Sequence, residues 1–121
     1  MNNPSVIHQI KGFIEFFEAI PREDWNVGST NQRDTVTGKI THCAVGHLTA
    51  HHRRNDAEIL ILLLRDVMNK EGACPDVNMP LTYITGLNDG RWSTMNKYGS
   101  HPKDRMVNAL KQCLELASGT S

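Results

Sequence analysis

The stretch AEILILLLRDVM, Ala57–Met68, decides the fold class predicted for this chain. Wound as a helix it is apolar almost all round, and a helix without a polar face belongs in the middle of a bundle. Asn55 is placed to cap such a helix, and Glu58 completes a capping-box pattern. We therefore expect the other helices to pack around Ala57–Met68.

Two further helices are predicted from apolar residues at three- and four-residue spacing, one near each end of the chain. The members of the first stripe are Val6, Ile10, Phe13, Phe17 and Ile20. The members of the last stripe are Met106, Val107, Leu110, Cys113, Leu114 and Ala117. Pro21 ends the first helix, and Pro102 lies in the first turn of the last one.

Shorter elements are expected between these helices. Thr41 is a good N-cap for a helix that runs to about Arg53, and Pro80 opens a short helix that breaks at Asn88–Gly90. Residues 26–40 are polar, lack the apolar alternation of strands and are expected to form a long loop, with a short hairpin around TVTGKI at residues 35–40 as the alternative. The sequence thus predicts an all-α fold, a single domain over residues 1–121 with about four main helices and one or two short ones.

The composition excludes several classes of protein. Thirteen basic and thirteen acidic residues give no net charge, which argues against a nucleic-acid duplex as partner. The longest apolar run, Ile59–Leu64, is far too short to span a membrane, and residues 1–13 lack the pattern of a signal peptide. Three scattered cysteines without CxxC spacing indicate reduced thiols. We therefore expect a cytoplasmic protein without a membrane partner and without a cofactor.

A second stretch, THCAVGHLTAHHRR at residues 41–54, combines one cysteine with four histidines. Cys43, His47 and His51 fall on one side of a helix at i, i+4 and i+8. Eight residues rise about 12 Å, so one zinc ion cannot bind all three side chains. A metal site would need an adjacent pair and further ligands from elsewhere, and we do not favour it.

The same stretch permits a catalytic interpretation. A cysteine in the first turn of a helix meets backbone N–H groups that activate a thiol and stabilise an oxyanion. In a thiol hydrolase or transferase, Cys43 would pair with His101 as base, oriented by Asn88 or Asp89. Such enzymes usually place these partners on a sheet, which is not expected here. This is the alternative hypothesis.

The hypothesis that we favour gives these residues a structural role. Free cysteine is commonly a small buried group, and Cys43 would pack beside Leu48 on the core face of its helix. Gly46 would allow the Trp25 ring or another helix to approach the same helix closely. Asn88 and Asp89 can close a turn or cap the N-terminus of a helix across the bundle.

The order of three short motifs resembles a family of short, uncharacterised proteins from bacteriophages, plasmids and actinobacterial genomes. The motifs are WNVG at Trp25–Gly28, CAVGHL at Cys43–Leu48 and ITGLND at Ile84–Asp89, followed by an amphipathic helix. Leu87 stands where the family usually has tryptophan. The resemblance implies a small helical protein of a phage or mobile element, with no established activity. Its recurring positions are Trp25, Gly28, Cys43, Gly46, Leu48, Asn88 and Asp89.

We therefore expect a non-enzymatic accessory protein that binds another protein. The expected contact regions are residues 26–40 and 90–100, with Arg91, Trp92 and Tyr98 as anchors. The alternative for the two aromatic residues is packing beneath the loop. A host-defence antagonist, a virion-associated part and a self-associating regulator all fit this prediction, so both the host cytosol and the virion are expected locations.

Overall fold

A computed structural model describes residues 4–28, 31–70, 81–91 and 93–119. The helices in these ranges are α1 (Pro4–Glu18), α2 (Ala44–Ala50), α3 (Ala57–Lys70), α4 (Thr82–Asp89), α5 (Ser93–Asn96) and α6 (Pro102–Ser118). Two short strands, β1 (Gln32–Arg33) and β2 (Ile40–Thr41), lie between α1 and α2. Short 3₁₀ turns occupy Arg22–Asp24 and Arg54–Asp56. The described chain is therefore mostly helical with a small sheet, and the pure all-α expectation needs this correction.

α1 confirms the first predicted helix. The side chains of Ile10, Phe13 and Phe17 are buried because their spacing places them on one face of the helix. The helix ends at Glu18, three residues before Pro21. Proline cannot continue a helix, and the chain turns here into the 3₁₀ turn Arg22–Asp24.

α6 confirms the last predicted helix and holds the central position. It packs against α1, α2, α3 and α4, and Met106 and Leu110 on its core face are completely buried. His101 is its N-cap, because His101 Nδ1 accepts a hydrogen bond from the backbone N–H of Lys103 at 3.1 Å. Pro102 lies in the first turn, where its missing N–H removes no helical hydrogen bond.

The expectation that Ala57–Met68 forms the middle of the bundle is wrong. α3 contacts α4 and α6, and a single stripe of its side chains is buried, namely Ala57, Leu60, Leu64 and Val67. On another face Leu62 is 51% exposed. One stripe at three- and four-residue spacing is enough to hold a surface helix. Further apolar residues beside this stripe make the sequence apolar on nearly every side of the helix, although the helix does not lie at the centre of the bundle.

Thr41 does not cap α2, and Asn55 does not cap α3. Thr41 pairs with Gln32 in the sheet, and Cys43 takes the N-cap position of α2. Asn55 lies inside the 3₁₀ turn that precedes α3. The start of α2 is delayed because the backbone before Cys43 forms hydrogen bonds with β1 and with the segment after α1.

Residues 31–41 form an antiparallel hairpin within the region expected to be a long loop. Its register pairs Gln32 with Thr41 and Arg33 with Ile40. Every residue from 31 to 40 is exposed, so neither face of the hairpin requires a row of apolar side chains. The alternation that reveals a half-buried strand is absent for this reason.

The buried apolar side chains of the described residues form one cluster. Its members come from all six helices, and Trp25 joins them from the segment between α1 and β1. Within the described ranges, no helix has the length and apolar character that crossing a membrane requires.

Candidate functional site

Asn88 lies in the last turn of α4, and its side chain is completely buried. Asn88 Oδ1 accepts a hydrogen bond from the backbone N–H of Ala44, the first residue of α2, at 3.0 Å. The first N–H groups of a helix have no partner within that helix, and an amide oxygen is a favourable acceptor for them. Asn88 therefore caps α2 from across the bundle.

The other side-chain atoms of Asn88 and Asp89 hold the segment that follows Trp25. Asn88 Nδ2 donates to the carbonyl of Asn26 at 3.0 Å and to Asp89 Oδ1 at 2.9 Å. Asp89 Oδ1 also accepts from the backbone N–H of Gly28 at 2.9 Å. We call these two side chains, with the backbone groups of Asn26, Gly28 and Ala44 that they bind, the Asn88 clamp.

Arg105 supports the clamp from α6. Its guanidinium donates to the Leu87 carbonyl at 2.9 Å, to the Asn88 carbonyl at 2.6 Å and to the Gly99 carbonyl at 3.2 Å. The bonds to Leu87 and Asn88 place donors at carbonyls in the last turn of α4, where the regular helical hydrogen bonds end, and a cation at this end also suits the helix dipole. Burial lowers the pKa of Arg105, and Asp89 opposes that change. Sequence reasoning missed this residue, although a charge inside the buried stripe of α6 was a signal for it.

Cys43 is buried beside the clamp. Its side chain is 4% exposed and forms no capping hydrogen bond to α2. The N–H of Ala44, the group nearest to the thiol along the chain, is already bonded to Asn88. This N–H is therefore not available to stabilise a substrate oxyanion. The observed environment of Cys43 is that of a packed side chain.

His101, the base in the catalytic hypothesis, is engaged in a hydrogen bond at the start of α6. Its Nδ1 accepts from Lys103. Burial and the neighbouring Arg22 lower the pKa of His101, while Asp104 opposes them. Arg22 in turn donates to both carboxylate oxygens of Asp104, at 2.7 and 2.8 Å. Among the described residues, no hydrogen bond joins His101 to Cys43.

His47 is the most unusual side chain of the histidine-rich stretch. It is 2% exposed, and its ring packs against those of Trp25 and His42, with centroids 4.8 and 5.1 Å away. Its Nε2 is buried and has no hydrogen-bond partner. Burial, then His42 and His51, lower the pKa of His47 to about 4, whereas Asp24 acts in the opposite direction.

The three side chains considered as metal ligands are not gathered around one point. His51 directs Nδ1 at the carbonyl of His47, 2.9 Å away, and its ring packs edge-on against Phe16. In the part of the chain that the structure describes, no group of three or more His, Cys, Asp or Glu side chains is arranged to hold a metal ion. The contact of His42 with His47 was not predicted, although both residues lie in the quoted stretch.

The hairpin has a well-defined tip. Asp34 Oδ1 accepts from the N–H groups of Val36 and Thr37 at 2.8 and 3.3 Å, and the Asp34 carbonyl accepts from the N–H of Gly38 at 2.8 Å. Gly38 has φ +76°, a conformation that glycine adopts without steric strain. Val36 is 90% exposed at this tip.

The base of the hairpin is joined to the segment after α1. Trp25 and His42 form a parallel bridge, in which the N–H of Asn26 donates to the His42 carbonyl at 2.9 Å and the N–H of His42 to the Asp24 carbonyl at 3.0 Å. Lys39 forms an ion pair with Asp24 at 3.0 Å. These contacts link the hairpin to Trp25, and through Trp25 to His47.

The three predicted contact anchors have different surroundings. Arg91 is exposed, and its guanidinium lies 3.9 Å from the carboxylate of Asp89. Trp92 lies outside the described residues. Tyr98 is 8% exposed, with the ammonium of Lys97 5.2 Å from its ring centroid. For Tyr98 the arrangement is therefore the packed alternative, and the tyrosine is not an exposed anchor.

No protein-family model, curated protein or solved structure matches the chain. The resemblance to short phage and plasmid proteins therefore stays a prediction. The positions on which it depends are buried or hydrogen-bonded to one another in this structure. Five are buried, namely Trp25, Cys43, Gly46, Leu48 and Asn88, and Gly28 is hydrogen-bonded to Asp89.

Proposed function

We propose that this chain is a small non-enzymatic accessory protein that binds another protein through the hairpin of residues 31–41. The observation that carries the proposal is the position of Val36, a large apolar side chain that is 90% exposed at the tip of an ordered turn. Apolar side chains at the centre of an interface are commonly the ones that a partner buries.

The hydrogen bonds of the tip favour this role. Asp34 fixes the backbone of Val36 and Thr37, so a partner would not have to order the turn when it binds. Preorganisation of this kind strengthens binding because less conformational entropy is lost. The hairpin contributes no residue from 31 to 40 to the core, and the helical body does not require it for burial of apolar surface.

The second predicted contact region, residues 90–100, offers fewer exposed anchors than the sequence suggested. Arg91 is exposed and remains a proposed contact, together with Trp92, whereas Tyr98 packs inside. The resemblance adds a setting in which such a protein would act, a phage or another mobile element inside a host cell. An antagonist of host defence, a virion-associated part and a regulator that self-associates are the partner classes compatible with this setting.

The proposal is tested by affinity capture from the native host with three forms of the full chain. The forms are the unaltered protein, Val36→Asp, and Leu62→Asp as a matched control at another exposed apolar side chain. A protein captured by the unaltered chain is identified by mass spectrometry, purified, and its Kd measured by calorimetry. We expect Val36→Asp to weaken binding by about tenfold or more, a change of about 1.4 kcal/mol, and Leu62→Asp to leave it unchanged.

Two outcomes would overturn the proposal. One is equal binding by the Val36→Asp form, which would remove the hairpin tip from the interface. The other is the absence of any direct binding between the unaltered chain and a purified captured protein. Circular dichroism spectra of the three forms show whether each is folded, so that a loss of binding is assigned to the surface and not to unfolding.

A further inference from the structure

The hairpin is joined to the body of the protein mainly at its base. A polar cleft of about 560 Å³, lined by Glu23, Trp25 and Arg33 among others, lies between the hairpin and the segment after α1. The described attachments are the bridge between Trp25 and His42, the ion pair of Lys39 with Asp24, and the bond from Asn26 Nδ2 to Thr41 Oγ1 at 3.1 Å. Few contacts therefore have to break for the hairpin to separate from the helices.

His47 lies directly beneath this base. Its ring contacts Trp25 on one side and His42 on the other, the two residues that form the bridge. Its Nε2 is buried and makes no hydrogen bond, and the backbone and carboxylate of Asp24 oppose the effect of burial on the ring without reversing it. A buried cation without a partner is far more unfavourable than a buried neutral ring.

The groups that face His47 offset such a charge only in part. His42 and His51 are themselves bases, and the carboxylate of Asp24 is already paired with Lys39. A pocket of about 440 Å³ beside His47 is lined on the α1 side by the apolar Ala19, Ile20 and Pro21. Protonation of His47 would thus place a positive charge beside Trp25 and His42, where the carboxylate of Asp24 is already shared with Lys39.

We propose that His47 is an acid-sensitive latch, whose protonation releases the hairpin of residues 31–41 from Trp25 and α2 while the helical core stays folded. The depressed pKa of His47, about 4, agrees with this role, because such a group stays neutral at neutral pH and takes up a proton more readily once it reaches water. The conformational change is inferred independently of the proposed function. A role of the latch in controlling the binding of a partner rests on the proposed function.

The test follows the full ¹⁵N-labelled chain by NMR between pH 7.5 and pH 4. The readouts are the heteronuclear NOE of the hairpin amides, Gln32 to Thr41, and that of the amides in α1 and α6. We expect the hairpin NOE values to fall as the pH drops below 6.5, while those of α1 and α6 persist. A His47→Phe variant, which keeps a ring without a titratable nitrogen, is expected to hold its hairpin at every pH. A His8→Gln variant, altered at an exposed histidine of α1, is the control and should behave as the unaltered chain.

Several results would overturn the latch. They are a hairpin that stays ordered down to pH 4, a simultaneous loss of the helical signals, or an identical pH profile in the folded His47→Phe variant. If His47→Phe does not fold, the imidazole ¹⁵N shifts of the unaltered chain decide instead. A His47 that is protonated while the hairpin remains ordered would then contradict the proposal. This readout needs no partner, so its failure is separate from failure of the proposed function.

Discussion

The side chain of Asn88 and the backbone N–H of Ala44 meet at 3.0 Å, although 44 residues separate them along the chain. This bond ties the end of α4 to the start of α2, and the same side chain reaches the carbonyl of Asn26. Two motifs that looked like parts of a catalytic site are thereby joined as one structural unit. The Asn88 clamp explains why a cysteine, an asparagine and an aspartate lie together without the histidine of a thiol enzyme.

Replacing Asn88 tests how much the clamp contributes to stability. Asn88→Ala leaves the Ala44 N–H and the Asn26 carbonyl without their buried partner, and we expect the free energy of unfolding to fall by about 2–4 kcal/mol. Asn108→Ala is the matched control, since the exposed Asn108 donates a single hydrogen bond, to the carbonyl of Tyr98. It should change stability by less than about 1 kcal/mol. Urea unfolding measures both, and equal effects would contradict the assigned role of Asn88.

Two glycines are expected to respond to alanine in opposite directions. Gly28 has φ +83°, and an alanine there would lose about 1–2 kcal/mol of stability in this left-handed conformation. Gly12 lies within α1, and an added Cβ would meet nothing within 4 Å. Gly12→Ala should therefore stabilise the protein by about 0.5–1 kcal/mol through helix propensity. Thermal or urea unfolding of the two variants gives the signs, and shifts in the same direction would refute the assigned backbone conformations.

Stability should depend on pH through His47. The pKa of His47 is about 4 in the folded chain, against an ordinary value of 6.5, so between these values the unfolded chain binds more protons. The stabilising contribution is complete above pH 6.5 and declines as the pH falls, by up to about 3 kcal/mol at pH 4 for a chain that keeps His47 buried, and by less once the latch opens. Urea unfolding at several pH values measures this decline, which should be smaller in the His47→Phe variant over the same window. Parallel profiles for the two proteins would show that His47 does not cause it.

The sequence predicted α1 and α6 because each helix buries one face. A single buried face requires apolar residues at three- and four-residue spacing, which can be seen in the sequence. It misplaced α3, because apolar residues on every side do not indicate how many of those sides are covered. Leu62 and Leu64 are leucines of the same apolar run, yet Leu64 is buried and Leu62 is 51% exposed. The hairpin was predicted only as an alternative to a loop, for the opposite reason, since strands with two exposed faces leave no apolar period.

The clamp and the latch were harder to predict from the sequence, because both depend on distant parts of the chain meeting. The pairing of Asn88 with a helix start was considered, but the position of that start was fixed only by the sheet around Thr41. Gly46 indicated that the Trp25 ring could approach α2, but nothing in the sequence indicated that Trp25 packs against His47. Arg105 was overlooked because a charged residue at the start of a helix is ordinarily exposed.

The most direct test of the account is the reactivity of the Cys43 thiol towards iodoacetamide at neutral pH, followed by peptide mass spectrometry. Cys113 is the internal comparison, because it is equally buried, donates to the Leu63 carbonyl, and has its pKa raised by burial to about 12. If Cys43 is a packed part of the clamp, both thiols should react on the order of 100-fold more slowly in the native protein than in denaturant. Fast labelling of Cys43 in the native protein, with Cys113 left intact, would contradict the structural role and support thiol chemistry.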